Sequence, residues 1–407
     1  MSSDLRTDED ALLVLADLLA PDQSEASGSE PVEVLPRPQT YVVLPNLDRP
    51  RYVLPANAPA AAAAHLRTGS GAVGGLVAHA VARPAIRAGA LRLAYRRTLT
   101  VPAGTRDHPT LADRISHELG LGPLAVSVAI GPPRPNRKPV IRLTDGRGRA
   151  VAWAKVGTST HAAALVRHED AFLTGPGPIS LRQAGIDAPT RLAQFTWKGH
   201  PVVAVSALPA RVGVRVRTLP LTAEAITAIA NCDSVDEAPG PAVDSSWWKQ
   251  VETELADVTG PRRRAAGHAA EAVFDQLRHV ELRYGRWHGD LASWNAQWHD
   301  RRLLVWDWER TGDAVPVGFD ALHESFQFHL FNAGLPVAAA RQRAIDTNRD
   351  LLRELGVPAA AVGPMTAGYC LTFALRLLED ARLTVLDPAA AKVLDAVLAD
   401  LARMGAE

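Results

Sequence analysis

The chain changes its hydrophobic period near Pro220. From about residue 115 to Ala207 apolar residues alternate in short runs between tight turns, and after Pro220 they recur at helical spacing. One layer cannot serve both periods, so the two stretches must build different layers. Upstream, Ala125–Ile130 reads as a strand. The turn Asp145-Gly146-Arg147-Gly148 joins Val140–Leu143 to Ala150–Val156, and Lys198-Gly199-His200 joins Arg191–Trp197 to Pro201–Ala207. With one helix inserted over His161–Leu173, this predicts about five antiparallel strands. Downstream, helices are expected over Thr222–Asn231, Ser245–Val258, Arg262–Tyr284, Phe319–Asn332, Val337–Leu355, Ala367–Leu386 and Ala389–Met404. A small hairpin, Ala296–Trp298 with Leu303–Trp306, interrupts them. The expected fold class is α+β: a bilobal chain with an antiparallel β-rich lobe carrying one helix, then a mainly helical lobe, with a ligand between them.

The first 110 residues fit neither period. Residues 1–35 hold nine acids and one arginine, and 21–40 is rich in Pro, Ser and Glu. Such composition buries too little apolar area to order itself, so a disordered acidic tail is expected over 1–40, with a short helix over Glu9–Ala20. Residues 49–106 invert the charge, with nine arginines and no acid. Helical pieces broken near Gly69–Gly75 and at Pro84 are expected there. Either a solvated accessory surface or a contact with an anionic surface fits that stretch. The expected division is therefore 1–40 tail, 41–114 accessory region, 115–208 β-rich lobe and 209–407 helical lobe.

Net charge excludes one large class. Lys plus Arg, 44, equals Asp plus Glu, 44, whereas general nucleic-acid binding needs a cationic surplus. Two cysteines exclude a disulfide framework and fit a reducing compartment. The N-terminus is acidic where a secretory signal is basic, and no run of about 20 uninterrupted apolar residues occurs. A cytoplasmic protein without a transmembrane segment is expected.

Chemistry concentrates in Trp287–Glu309, WHGDLASWNAQWHDRRLLVWDWE. His288-Gly289-Asp290 is followed after four residues by Asn295, and Asp307 ends the apolar run Leu303–Trp306. Phosphoryl transfer from ATP needs such a set: a carboxylate to take or orient the proton of the attacking hydroxyl, and an amide and a carboxylate to hold Mg²⁺ through hard oxygens. The spacing Asp290-x-x-x-x-Asn295 is that of a kinase catalytic loop.

With its hairpin and its Val305-Trp306-Asp307-Trp308, this segment resembles the aminoglycoside phosphotransferase / choline kinase-like family, a branch of the protein-kinase-like fold. That resemblance implies Asp290 as catalytic base and His288 as a positioning member of the catalytic loop. It implies Asn295 and Asp307 as Mg²⁺ ligands, and Asp320 as a downstream brace. It implies ATP as phosphoryl donor and a small-molecule hydroxyl as acceptor.

The same template orders the first lobe. Lys155, at the end of Ala150–Val156, is expected to reach the nucleotide phosphates. Glu169, between Leu165 and Phe172 on the apolar face of the following helix, is expected to hold that lysine. The linker after Pro201–Ala207 places Ser206 and Leu208 at the adenine edge. The phosphate-covering turn departs from the pattern: Gly131-Pro132-Pro133-Arg134-Pro135-Asn136-Arg137-Lys138 has three prolines, which donate no N–H. Arg134, Arg137 and Lys138 are the expected substitutes for its amides. Two functions follow: an ATP- and Mg²⁺-dependent phosphotransferase acting on an aminoglycoside, sugar or amino alcohol, or an ATP-binding pseudokinase. The acidic loop Asp233–Asp244 is either solvated or an attractor for a cationic acceptor.

Overall fold

The computed structural model describes residues 8, 10–23, 32–34, 37–65, 86–87, 97–210, 218–233 and 238–404. The helical pieces expected around 69–84, residues 24–31 of the acidic stretch and 234–237 of the acidic loop lie outside them. Two compact units divide the chain: 1–171 with 189–214, and 172–188 with 215–407.

In the first unit, strands β1 (Gln39–Leu44), β2 (Tyr52–Pro55), β3 (Thr98–Val101), β4 (Ala125–Ile130), β5 (Pro139–Thr144) and β6 (Ala150–Val156) are followed by β8 (Arg191–Trp197) and β9 (His200–Ser206). The short β7 (Ile186–Asp187) belongs to the second unit. The eight strands make one antiparallel sheet, ordered β3-β1-β2-β4-β5-β6-β9-β8. Five of them, β4, β5, β6, β8 and β9, are the strands that alternation and turn chemistry mark in the sequence.

The other three correct the expected division. Residues 39–101 contribute β1, β2 and β3, and β2 pairs with β4 (Tyr52↔Ala129, Val53↔Val128). The described part of the arginine-rich stretch is thus sheet as well as surface. The tail is corrected too. Helix α1 (Ala11–Leu19) buries Ala11, Leu15, Leu18 and Leu19, spaced i, i+4, i+7, i+8 along one stripe. These residues share a core with Tyr41, Val43, Leu111, Ile115, Val126 and Ile141. Burying each leucine is worth roughly 2 kcal/mol, which the acidic composition around the helix conceals. Trp197 Nε1 donates to the Leu18 carbonyl at 2.8 Å, tying α1 to β8. Between α1 and β4, α3 (Leu111–Glu118), which follows the short α2 (Pro59–His65), opens on a capping box. There the Asp113 N–H donates to Thr110 Oγ1 at 3.3 Å, and the Thr110 N–H donates to Asp113 Oδ2 at 3.0 Å.

The helix after β6, α4 (Thr160–Thr174), lies one residue either side of its expected bounds, and a second, α5 (Gly177–Gln183), follows. The second unit continues with α6 (Ala223–Ala230), α7 (Ser246–Ala256), α8 (Arg263–Leu277), α9 (Phe319–Gln327), α10 (Val337–Glu354), α11 (Val362–Leu383) and α12 (Pro388–Met404). The helix expected over Arg262–Tyr284 stops at Leu277, and Tyr284–Trp287 is instead a strand paired antiparallel with Gly312–Pro316. Pairing overrides the helical pattern here. Gly285 permits it, because a Cβ there would stand 2.7 Å from the Ala230 carbonyl oxygen. The hairpin Ala296–His299 with Arg302–Val305 gains Ile186–Asp187 as a parallel third strand. A window in Ala359–Leu383 is apolar enough to cross a membrane, but 72% of it is buried inside the protein, as in a core helix.

Candidate active site

Strand Tyr284–Trp287 delivers His288, Gly289 and Asp290, and the hairpin returns the chain to Asp307. Gly289 has φ +81°, and a Cβ there would collide with the Arg310 carbonyl oxygen, so only glycine fits. Asp320, at the start of α9, braces this turn. Its Oδ2 accepts from the His288 N–H at 2.8 Å and its Oδ1 from the Gly289 N–H at 3.2 Å. Burial pushes the Asp320 carboxyl up to about 7; the two N–H donors and Arg376 oppose that rise, and the charge of Asp290 adds to it.

His288 is fully buried, and burial pulls its imidazole down to about 4, so it is neutral. Nδ1 accepts from the Asp290 N–H at 3.2 Å, and Nε2 donates to the Trp306 carbonyl at 3.1 Å. The ring thereby pins the His288–Asp290 turn to the end of the hairpin. Trp308 packs edge-on against it at 4.6 Å and stacks on Phe172 at 4.3 Å. His288 therefore positions the loop from inside the core.

Asp290 differs: about a third of its side chain (32%) is open to solvent. Asn295 Nδ2 donates to both its backbone carbonyl and its Oδ2, each at 2.9 Å. His323 Nε2 lies 3.1 Å from Oδ1. Burial works against the charge of Asp290, but the His323 hydrogen bond, that ring's field and the Arg376 guanidinium outweigh it and hold the carboxyl below its usual range. Arg376 Nη1 donates to the Gly289 carbonyl at 2.7 Å, and its guanidinium lies 5.4 Å over the Trp287 ring.

Asp307 has φ +70° and ψ +52°, the left-handed region, which Asp tolerates better than most residues. Its charge raises the carboxyl of Asp290, so the two carboxylates repel. Asn295 uses Nδ2 on Asp290, and its Oδ1 remains as an acceptor. A carboxylate and an amide oxygen suit a hard divalent cation.

In the first unit, Lys155 on β6 and Glu169 on α4 form an ion pair at 2.5 Å, with side chains 11% and 2% exposed. Ser206 closes the end of β9 against Thr190. Its Oγ accepts from the Thr190 N–H at 2.9 Å, and its own N–H donates to the Thr190 carbonyl at 2.8 Å. Leu208 follows in the partly buried segment after β9. Arg137 corrects an expectation. It is buried, and its guanidinium meets the carboxylate of Asp8 at 2.7 Å. It is thus engaged by the N-terminal segment, and Arg51 meets the same carboxylate at 2.8 Å.

His323, Tyr369 and Arg376 escape a motif reading because they lie on helices after the catalytic segment. The available signal is weak: a histidine three residues after Asp320, and an arginine inside the apolar run Leu371–Leu378.

No protein-family model matches the chain, and no curated protein does. Solved structures do. The aminoglycoside phosphotransferase APH(4)-Ia, a thermostable mutant solved with ADP and hygromycin B, is 14% identical, covering 73% of this chain and 99% of that one, with a TM-score of 0.47. Amicoumacin kinase, solved with AMP-PNP, Ca²⁺ and Ami, is 12% identical, covering 65% and 85%, with a TM-score of 0.42. A choline/ethanolamine kinase family protein from Mesorhizobium loti is 16% identical, covering 72% and 94%, with a TM-score of 0.42. This chain's own elements give the fold class: α+β, an eight-stranded antiparallel sheet with a helix-rich second part.

Proposed function

We propose that the protein transfers the γ-phosphoryl group of ATP to a hydroxyl of a small molecule, in a reaction that depends on Mg²⁺. The observation that carries this reading is Asp290, an ionised, partly open carboxylate held by Asn295 and His323 beside Asp307. The acceptor oxygen bonds to the γ-phosphorus as the bond from that phosphorus to the β,γ-bridging oxygen breaks. The bridging oxygen leaves with the electron pair as part of ADP, and the hydroxyl proton passes to Asp290. Asn295 Oδ1 and the Asp307 carboxylate would hold the metal, which when bound offsets phosphate charge. Lys155, steadied by Glu169, would hold the nucleotide phosphates, and the backbone around Ser206 and Leu208 the adenine.

The neighbours' substrates, hygromycin B among them, make aminoglycosides and amino alcohols the first acceptors to try, with sugars next. The test measures ADP formation by the purified protein with MgATP across such a panel, and identifies the phosphorylated product by mass. Acceptor-dependent ADP that vanishes with EDTA is the expected result. ATP binding without turnover on any acceptor would favour the pseudokinase reading, to which the prolines of the covering turn and the Asp8–Arg137 pair lend weight.

A further inference from the structure

The side of Asp290 away from Asn295 ends in a buried chain. Oδ1 faces His323 Nε2 at 3.1 Å, and His323 Nδ1 faces the hydroxyl of Tyr369 at 3.1 Å. Both residues are 1% exposed, His323 on α9 and Tyr369 on α11. Phe319 and Phe326 pack edge-on against the Tyr369 ring, each at 5.8 Å, and Phe373 packs behind Phe326 at 5.5 Å. These edge-on contacts surround the Tyr369 ring, so turning it to another rotamer would open this aromatic cage.

Donor and acceptor roles follow from chemistry. An ionised carboxylate only accepts, so Nε2 carries the hydrogen. Burial lowers the His323 imidazole against the pull of Asp290, so the ring is neutral and Nδ1 is bare. The Tyr369 O–H then has an acceptor in Nδ1. One direction runs through the chain: Tyr369 O–H to His323 Nδ1, and His323 Nε2–H to Asp290 Oδ1. It ends in the core, so it gives a proton no exit.

We propose that His323 is a positioning residue for the phosphotransfer reaction: with Tyr369 locking its tautomer, it fixes the carboxylate plane of Asp290 against the acceptor hydroxyl. The proposal rests on the reading of Asp290 as the base. A histidine that merely filled the core would need no particular tautomer, and its loss would affect stability alone. A positioning histidine changes kcat, because misaiming the base costs rate after nucleotide and acceptor are bound.

The test compares His323→Leu, His323→Gln and Tyr369→Phe with the wild type, using MgATP and the best acceptor of the panel. His323→Leu should lower kcat about 10- to 100-fold, the worth of one hydrogen bond to a charged group, with KM for ATP within about twofold. His323→Gln keeps an N–H donor near the Nε2 position and should recover most of that loss. Tyr369→Phe should cost less, about threefold to tenfold. Nitrogen-15 spectra of histidine-labelled protein supply the readout independent of turnover. His323 should show a protonated Nε2 and a bare Nδ1, and Asp290→Asn should shift the Nε2 resonance. If His323→Leu does not fold, Tyr369→Phe decides by kcat in its stead. A wild type that forms no ADP removes Asp290 as base, and the positioning role with it. An active wild type matched by a folded His323→Leu, or an Nδ1–H tautomer, overturns the positioning role alone.

Discussion

The two units handle buried charge in opposite ways. In the first, Lys155 and Glu169 form one short ion pair, a cation against an anion at 2.5 Å. In the second, the charge of Asp307 acts on Asp290 and that of Asp290 on Asp320, with Arg376 as a partly buried cation nearby and the neutral rings of His288 and His323 supplying hydrogen bonds. The pair matches one cation to one anion. The carboxylates of this network suit a cation from outside. Removing one member should therefore cost stability in the first unit, beyond any loss of nucleotide binding through Lys155, and mainly chemistry in the second.

The sharpest break in that comparison is Asp290→Asn. It keeps size and an acceptor for His323 but cannot take a proton. Phosphoryl transfer should fall about 10²- to 10⁴-fold while the thermal midpoint stays within a few degrees. A variant keeping more than about a tenth of wild-type turnover would exclude Asp290 as base.

Lys155→Met is the counterpart in the first unit. It strips a side chain that is 2% exposed, Glu169, of the cation 2.5 Å away. Unfolding by denaturant should show a loss of about 3–5 kcal/mol, because the buried carboxylate loses the cation of its ion pair. Adding Glu169→Gln should restore much of it. A single mutant as stable as the wild type would mean that this ion pair does not stabilise the first unit.

What the sequence reveals about each unit follows from how local the causes are. The HGD segment was legible as a candidate site because Asp290, Asn295 and Asp307 lie within one loop and hairpin, where spacing carries geometry. β4, β5, β6, β8 and β9 were legible through alternation and Gly-containing turns. The members set by packing between distant elements were not. His323 and Tyr369 reach Asp290 only because α9 and α11 pack together, and 46 residues separate the two. α1 looked like part of an acidic tail because its four buried positions are diluted by Asp8, Asp10, Asp17 and Asp22 in composition, though not on the helix face.

That misreading sets the third prediction. Leu15 is fully buried among core residues from β1, β4, β5 and α3. Leu15→Ala should cost about 2–5 kcal/mol, read as a lower denaturation midpoint, without changing KM for ATP in the protein that remains folded. Deleting residues 1–22 should cost more, since α1 and the Trp197–Leu18 hydrogen bond go with it. A stability change below about 0.5 kcal/mol in Leu15→Ala would return the N-terminus to a tail loosely attached to the sheet.

The smallest effect separates a third way of burying charge from the other two. Glu324 follows His323 on α9 and is 3% exposed. Its Oε1 accepts from the Leu219 N–H at 2.6 Å. Burial pushes its carboxyl up to about 7, and the opposing influences are that N–H and the Ser325 hydroxyl, neither of them a cation. It has neither the pair's counter-ion nor the network's shared field, so it folds by keeping its proton. The sign follows from linkage: with the folded value above the ordinary one, near 4.5, its contribution is fully present below about pH 4.5 and is lost as pH rises through 7. Glu324→Gln preserves the acceptor for Leu219 and removes the titration. Its stability relative to the wild type should therefore be flat below about pH 4.5 and climb between about pH 5 and 7, gaining at most roughly 3 kcal/mol by pH 8. Asp320, also raised to about 7, titrates in both proteins and cancels in the difference. Thermal midpoints of the two proteins at pH 4, 6 and 8 decide it. A constant difference across that range would mean that Glu324 is ionised in the folded protein, and that a cation reaches it as one reaches Glu169.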